Sequence, residues 1–326
     1  MSSRFLIIQT AFIGDVILAT SLIEKLADFF PDSKIDFLLR KGNEALLDNN
    51  PHINSLCVWK KKKSKYKNLL QLIGLVRKNK YDYIINVHRF SSSGFITTFS
   101  NASNKIGFDK NPFSYFFNKS ISYEKGSGKH EIQRNQELIE HITDSNPAKP
   151  KLYPSNQDFE FVEQYKYDSY CCIAPASVWF TKQYAEERWI ELIELLDQKI
   201  FLLGANSDYL LCERIIKAAN GKDVINLSGK LTFLQTAALM KGAKMNYVND
   251  SAPLHIASSM NASVTAVYCS TIPEFGFGPL SDDSRIVQIN KELECRPCGL
   301  HGKKVCPEKH FDCAYGISAN EVFSNE

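Results

Sequence analysis

The stretch that decides the fold is RFLIIQTAFIGDVILATSLIEKLADFFPDSKIDFLL, residues 4–39. Its first residues, Arg4 to Gln9, are an apolar run of the kind that forms a buried strand. An amphipathic stretch from about Asp15 to Phe30 predicts a helix, and Lys34 to Leu39 predicts a second strand. Because a strand, helix, strand crossover makes its two strands parallel, the chain is expected to open as a βαβ unit.

The same alternation continues along the chain. A helix is expected from Asn68 to Asn79, a strand from Tyr83 to Val87, and a helix from about His130 to Thr143. The proline-rich stretch Asp144 to Asp158 then predicts a linker, because neither a helix nor a central strand tolerates that density of proline. Five further strands are expected beyond it: Tyr170 to Ala174, Lys199 to Leu203, Val224 to Asn226, Met245 to Asn249 and Val264 to Tyr268.

The predicted fold class is therefore α/β, with two Rossmann-like doubly wound domains, residues 1–155 and 156–326. We expect these domains to face a central cleft at the carboxyl ends of their sheets, where open α/β sheets bind ligands. The loops that follow the strands are thus the places to look for functional residues.

Composition narrows the function. The chain has 39 basic and 36 acidic residues, a balance that does not predict nucleic-acid binding. Its apolar stretches are too short for a membrane-spanning helix, and the segment Met1 to Thr20 is broken by Gly14 and Asp15 where a secretory signal would stay apolar. With nine cysteines and no export signal, we expect a cytoplasmic protein.

Asp15 lies in the loop after the first predicted strand, directly behind Gly14. An aspartate at the start of a helix is commonly a cap, since its carboxylate accepts from free backbone amides. The same position also suits a general base that projects into the cleft. The loop lacks a Gly-x-Gly-x-x-Gly string, so a standard dinucleotide site is not predicted there.

Three loops of the second half carry hydroxyls, acids and one lysine at helix starts, a combination suited to phosphate and ribose. Each also has a plainer interpretation, as a surface lysine or a helix cap. The candidate donor-binding residues in these loops are Ser177, Thr181 and Lys182, then Asp208, and finally Asp250, Ser251 and His255.

The ordered set of motifs resembles the heptosyltransferase family. The matching segments are IGDV at 13–16, HE-x-x-RN at 130–135, the loop 177–182 and NDSAPLHIA at 249–257. The resemblance implies a B-type glycosyltransferase fold and inverting transfer of a heptose from ADP-heptose to a lipopolysaccharide core acceptor, with no required metal. It further implies that Asp15 is the base and that the seven candidate residues of the second half bind the donor.

One segment departs from the family. Its members often continue the lysine loop as Lys-x-Trp-Pro, whereas this chain has Lys182-Gln183-Tyr184-Ala185. The sequence also has no Asp-x-Asp pair, the usual ligand set of metal-dependent transferases. The charge of the leaving diphosphate must then be met by Lys182 and helix termini.

Other features leave alternatives open. His88 and Arg89 are candidate acceptor-binding residues, or else a buried histidine and a surface ion pair. The lysines at 60–63, 65 and 67 form a solvated face or attract an anionic glycolipid or membrane surface. Four cysteines near the carboxyl end suggest a structural zinc site, with free thiols or a disulfide favoured over it: Cys295, Cys298, Cys306 and Cys313.

The leading hypothesis is an inverting heptosyltransferase whose partners are a nucleotide-sugar donor and a lipid-linked saccharide acceptor, working in the cytoplasm with peripheral contact to the inner membrane. A sugar-nucleotide epimerase is the rival enzyme, because it can share this architecture. A non-catalytic nucleotide-sugar-binding protein is the rival of another class.

Overall fold

The computed structural model describes residues 3–61, 65–166, 169–219 and 221–324. Lys62 and Lys63, part of the lysine run, lie outside these residues. The chain forms two compact units, Met1–Tyr153 and Pro154–Glu326. In the described part, no helix is both long and apolar enough to cross a membrane.

The first unit is built around one parallel sheet with the strand order β3-β2-β1-β4-β5-β6. This is the order of a Rossmann domain. Its strands are β1 (Arg4–Ile8), β2 (Lys34–Arg40), β3 (Ile53–Trp59), β4 (Tyr83–Asn86), β5 (Asn104–Phe108) and β6 (Lys119–Ile121). Its helices are α1 (Ile13–Phe29), α2 (Lys65–Asn79), α3 (Ser91–Thr98) and α4 (Glu131–Glu137).

The second unit repeats this plan with the order β12-β11-β10-β7-β8-β9, so the Rossmann order recurs when its strands are counted from β7. Its strands are β7 (Tyr170–Ala174), β8 (Lys199–Leu202), β9 (Val224–Asn226), β10 (Met245–Asn249), β11 (Val264–Tyr268) and β12 (Ser284–Gln288). Its helices are α5 (Asn156–Glu163), α6 (Glu186–Leu195), α7 (Tyr209–Ala218), α8 (Phe233–Gly242), α9 (Ala252–Ser259), α10 (Asp312–Tyr315) and α11 (Ala319–Phe323). Short 3-10 turns in the two units span Glu44–Leu46, Ser114–Phe116, Phe180–Lys182, Asn206–Asp208 and Pro273–Phe275.

The central strands read as continuous apolar runs because helices cover both faces of a parallel sheet. Every residue of β7 and β11 is buried, as are the apolar residues of β1. Helix α1 is buried along most of its length, from Val16 to Leu26. These buried central elements are the ones that the sequence predicts.

Elements nearer the sheet edges differ from the prediction. Strand β3 carries the exposed polar residues Asn54 and Ser55, and three of the five residues of β12 are polar, so neither strand is apolar throughout as a buried strand is. The helix expected from His130 to Thr143 ends at Glu137 instead. The side-chain Nε2 of Gln136 donates to Thr143 Oγ1 at 3.0 Å and to the backbone carbonyl of Asp144, so the chain that follows this short helix is held against it.

Candidate active site

Each unit places its candidate residues at the point where the strand order reverses. In the first unit this point lies between β1 and β4; Asp15 follows β1, while His88 and Arg89 follow β4. In the second unit it lies between β7 and β10, which precede Lys182 and Asp250 respectively. Such reversal points are the usual ligand-binding crevices of doubly wound sheets.

Asp15 is a half-buried carboxylate in the first turn of α1. Its Oδ2 accepts a hydrogen bond from the amide of Phe12 at 3.1 Å, so it caps the helix as one interpretation expected. Burial, together with the nearby carboxylate of Glu131, raises the pKa of Asp15 to about 6, against the opposing effects of the Phe12 amide and Arg89. A carboxylate with such a pKa is a much better proton acceptor than an ordinary aspartate. Capping and general-base chemistry are therefore compatible at this residue.

Glu131 is held rigidly behind Asp15 by two donors. Its Oε2 accepts from the Tyr123 hydroxyl at 2.8 Å and from the Arg134 Nε at 2.8 Å, and all three side chains are buried. A buried carboxylate needs such partners to remain charged. The contacts within this trio hold the Glu131 carboxylate close enough to raise the pKa of Asp15.

Two further cations stand around this cluster. The Arg89 guanidinium lies 3.7 Å from the centroid of the Tyr123 ring, a cation–π contact. Lys125 is half-buried, and its pKa is lowered by burial and by Arg89, while Glu131 and Asp15 act in the opposite direction. The first unit therefore presents positive charge beside its candidate base.

His88 is buried and uncharged. Burial first, and then Lys61 and Arg89, lower the pKa of His88 to about 3. The Lys61 ammonium donates to Thr10 Oγ1 at 3.1 Å, and the same hydroxyl is hydrogen-bonded to His88 Nδ1, 3.0 Å away. The neutral His88 ring can offer a hydrogen bond to a ligand, but it supplies no positive charge.

This arrangement also changes the interpretation of the lysine run. The Lys61 ammonium makes its contacts within the first unit. It donates to the carbonyl of Thr10 at 2.9 Å and lies 4.6 Å from the centroid of the Trp59 ring. Lys61 is thus part of the first unit's polar cluster.

In the second unit, the central feature is an ion pair between two predicted donor-binding residues. Lys182 Nζ lies 2.6 Å from Asp250 Oδ2, and the same oxygen accepts from the Thr271 hydroxyl at 2.6 Å. Ser251 is the N-cap of α9, and His255 is buried on that helix. A lysine ammonium and the backbone amides at the start of a helix are groups suited to binding phosphate.

Asn249 joins the loop that carries Lys182 to the loop that carries Asp250. Its Oδ1 accepts from the amide of Tyr184 at 2.8 Å, and its Nδ2 donates to the carbonyl of Pro175 at 2.9 Å. Tyr184 stands where family members often have tryptophan. It is buried, packs against Trp189 and donates its hydroxyl to the carbonyl of Ile317 at 2.9 Å. The departure from the family motif is thus accommodated in the core.

The Thr181 hydroxyl contacts the segment around Lys303. Its Oγ1 accepts from the amide of Lys303 at 2.7 Å and from Ser270 Oγ at 3.0 Å, and donates to the carbonyl of Lys303 at 3.3 Å. These bonds use the one donor and two acceptor positions of a threonine hydroxyl. The donor-binding role of Thr181 stays a prediction. Ser177 lies on the same loop, where its carbonyl accepts from Gln183 Nε2 at 2.7 Å.

Asp208 caps its own turn. Its Oδ2 accepts from the amide of Ala205 at 2.8 Å, as the plainer interpretation expected. It also lines a cavity of about 470 Å³, a size that suits a small ligand. The cavity is bounded by the loops after β7 and β8 and by Phe180 and Phe311, whose rings stack at 4.9 Å.

The cysteines are free thiols where the structure describes them. Cys295 Sγ lies 3.8 Å from His310 Nε2, and Cys313 is buried in the core of the second unit. Within residues 3–61, 65–166, 169–219 and 221–324, no three His, Cys, Asp or Glu side chains are grouped as metal ligands.

Several residues of these clusters were not identified from the sequence. Buried partners such as Tyr123 and Thr271 carry no local signal, because their roles depend on contacts distant in sequence. Asn249, Glu131 and Arg134 did lie in quoted motifs, and the spacing of three residues between Glu131 and Arg134 within a helix was an available clue.

Solved structures share the whole fold. The heptosyltransferase II of Escherichia coli has a TM-score of 0.81 and 19% identity, with 98% of this chain and 96% of that chain covered. A glycosyl transferase family 9 structure from Veillonella parvula DSM 2008 has a TM-score of 0.85 and 20% identity, with 99% of this chain and 96% of that chain covered. The fold is that of the B-type glycosyltransferases, as predicted.

Sequence comparison identifies the family. The protein-family model described as "Glycosyltransferase family 9 (heptosyltransferase)" matches residues 69–310 of this chain. The "Lipopolysaccharide heptosyltransferase 3" of Escherichia coli is 30% identical over 281 residues, which cover 80% of this chain and 82% of the relative. The chain belongs to glycosyltransferase family 9, the heptosyltransferase family, and is a glycosyltransferase.

Proposed function

We propose that the protein is an inverting glycosyltransferase that moves a heptose from ADP-heptose to a lipid-linked lipopolysaccharide core acceptor, with Asp15 as general base. The observation that carries this proposal is the Asp15 carboxylate, whose pKa is raised to about 6 at the first unit's reversal point. Relatives named as lipopolysaccharide heptosyltransferases support the substrate class.

In the proposed reaction, Asp15 takes the proton of the acceptor hydroxyl as its oxygen bonds to the anomeric carbon. The bond between that carbon and the diphosphate oxygen breaks on the opposite face of the sugar, which inverts the configuration. The departing ADP keeps the electron pair of the broken bond. Lys182 and the amides at the start of α9 stabilise its charge, so the proposed reaction requires no metal.

The second unit is the proposed donor-binding one. The solved heptosyltransferase WaaC of Escherichia coli was determined with ADP and with ADP-2-deoxy-2-fluoro heptose, which supports a nucleotide-sugar donor here. Lys182 and Ser251 are assigned to the diphosphate and Asp208 to the ribose, next to the 470 Å³ cavity that would take the rest of the nucleoside. Asp250 holds the lysine in place.

The first unit is the proposed acceptor-binding one. Arg89 and Lys125 supply positive charge around Asp15, which suits an acceptor sugar that bears a carboxylate or phosphate. The neutral His88 adds one hydrogen-bonding group. This division assigns the base to one unit and the leaving group to the other.

A lipid-linked acceptor brings the enzyme to a membrane, and the first unit has an exposed aromatic surface suited to one. This surface consists of Phe90, Phe99, Tyr115 and Phe116. Tyr115 is 92% exposed and Phe116 is 58% exposed. Aromatic rings are favoured at the level of the lipid headgroups. The ring of Phe90 lies 4.8 Å from that of His88, so the aromatic surface adjoins the acceptor residues.

Charge on the same segment favours an anionic bilayer. Between residues 90 and 123 the chain has three lysines, Lys105, Lys110 and Lys119, and one acid, Asp109, which pairs with Lys110 at 3.7 Å. Lys105 donates to the carbonyl of Thr98 at 3.0 Å, beside Phe99. We therefore assign the aromatic surface to peripheral contact with the cytoplasmic face of the inner membrane.

The test of the proposed function is incubation of the purified protein with ADP-heptose, with and without a truncated core acceptor, while ADP release is followed. Transfer predicts ADP release that depends on the acceptor. An altered sugar nucleotide formed without acceptor would indicate an epimerase, and binding of ADP-heptose with no turnover in either mixture would indicate a non-catalytic binding protein.

A further inference from the structure

The segment that contains Cys295 and Cys298 contacts the proposed donor site. We call residues 295–303 the cysteine-rich strap. At its start, the Arg296 guanidinium donates to the carbonyls of Cys269 at 2.7 Å and Thr271 at 2.8 Å. The amide of Cys298 donates to the carbonyl of Ser270 at 2.8 Å. The strap is thus attached to the loop that follows β11.

At its other end the strap contacts the lysine loop. The amide of Lys303 donates to Thr181 Oγ1, and the amide of Thr181 donates back to the carbonyl of Lys303 at 3.1 Å. Thr271 closes a ring of contacts, because its carbonyl accepts from Arg296 while its hydroxyl donates to Asp250, the partner of Lys182. The strap therefore contacts Thr181, the neighbour of Lys182 in the chain, and Thr271, which in turn donates to Asp250.

Gly302 is the point of closest approach. A Cβ built at this position would lie 2.9 Å from Lys182 Cγ, 3.0 Å from Thr181 Oγ1 and 3.3 Å from Ser270 Oγ. The first of these atoms belongs to the stem of the lysine side chain, so an added methyl group must displace it. The backbone at Gly302 also has a φ of +76°, which favours glycine.

From these contacts we infer that the cysteine-rich strap positions Lys182 for the donor diphosphate, and that Gly302 is a positioning residue of the transferase. This inference rests on the proposed function, since it presumes that Lys182 binds the donor. It assigns the strap a role that needs no metal and no disulfide.

Gly299 provides a matched control within the strap. Its φ is +75°, nearly that of Gly302, but a Cβ built there meets no atom within 4 Å. Alanine at either position would be strained to a similar extent by the left-handed backbone conformation. Only Gly302→Ala would also press on Lys182.

The experiment measures ADP affinity by calorimetry, and the thermal midpoint, for Gly302→Ala, Gly299→Ala, Lys182→Gln and the double variant Gly302→Ala/Lys182→Gln. We expect Gly302→Ala to weaken ADP binding about tenfold and Gly299→Ala to stay within about twofold of wild type, with similar losses of thermal midpoint. In the Lys182→Gln background, Gly302→Ala should add less than about twofold, because its effect passes through the lysine.

Equal ADP affinity in Gly302→Ala and Gly299→Ala, with Lys182→Gln weakened, would overturn the positioning role and leave the proposed function standing. Wild-type ADP affinity in Lys182→Gln would instead contradict the proposed donor site and the inference with it. If Gly302→Ala does not fold, Thr181→Val breaks the same strap contact at nearly constant volume. It should weaken ADP binding, whereas Thr236→Val, on α8, should not.

Discussion

Lys182 Nζ and Asp250 Oδ2 are 2.6 Å apart, with Thr271 donating to the same carboxylate oxygen. The ammonium is therefore fixed before any diphosphate arrives. Ordering a lysine side chain in advance removes part of the entropy cost of binding. Asp250 acts on the donor through the lysine.

Asp250→Asn is expected to weaken donor binding about tenfold, because the amide keeps the contact to Thr271 but not the ion pair that fixes Lys182. The measurement is the KM for ADP-heptose together with the Kd for ADP. Asp223→Asn is the matched control, since it removes an exposed carboxylate that pairs with Lys199 at 3.1 Å. Similar donor constants for the two variants would contradict the assigned role of Asp250.

The pH dependence of turnover is expected to follow Asp15. A base must be deprotonated, so kcat/KM should rise with pH to a plateau, with its acid limb centred near the Asp15 pKa of about 6. Glu131→Gln removes a carboxylate that raises this pKa and should shift the limb to lower pH. Glu137→Gln, at the surface pair with Lys129, should leave the limb in place. A limb unmoved by Glu131→Gln would exclude this electrostatic coupling.

Asp15→Asn is expected to stabilise the fold at alkaline pH. The pKa of Asp15 is raised from 3.8 in a free aspartate to about 6 in the folded protein, so the native state binds the proton more tightly than the unfolded state does. Stability is therefore lost as pH rises through this window, and the neutral amide avoids the loss. In thermal unfolding, the free energy of unfolding of Asp15→Asn should exceed that of wild type by about 1 kcal/mol at pH 8, after allowance for partial exposure, and should differ little from it at pH 4. Asp28→Asn, on the exposed side of α1, is the control.

The aromatic surface predicts binding to anionic vesicles. The double variant Tyr115→Ser/Phe116→Ser should sediment with vesicles of phosphatidylcholine and phosphatidylglycerol about tenfold less than wild type, because two exposed rings no longer enter the headgroup layer. Lys105→Gln should also weaken binding, by about fivefold at low salt. Leu210→Ser, which alters a 71% exposed apolar residue of the second unit, should not. Unchanged sedimentation of the aromatic double variant would reject this surface.

The central fold was predictable from the sequence because its signals are local. Buried parallel strands such as β7 and β11 are apolar runs, interrupted in β11 only by Thr265, and their predicted bounds agree with the structure. Edge strands such as β3 and β12 contain more polar and exposed residues, and their identity depends on the neighbour with which they pair. Long-range pairing of this kind leaves little trace in a short window of sequence.

The site was predictable in part for the same reason. Asp15 and Lys182 lie in the segments that follow β1 and β7, so their positions at the reversal points of the sheets follow from topology alone. The contacts that set their chemistry join residues far apart in sequence: Asp15 to Glu131, and Thr181 to Lys303. Sequence spacing identified the charged groups, whereas the structure identified the partners that tune and hold them.

The most direct test of the account is single-turnover transfer by Asp15→Asn, measured beside its ADP affinity. With enzyme in excess over ADP-heptose and with saturating acceptor, we predict a loss of at least about a hundredfold in the rate of transfer, in keeping with removal of a general base. The affinity for ADP should stay within about twofold of wild type, because the variant leaves Lys182 and its contacts untouched. A transfer rate close to that of the wild type would contradict the assignment of Asp15 as the base.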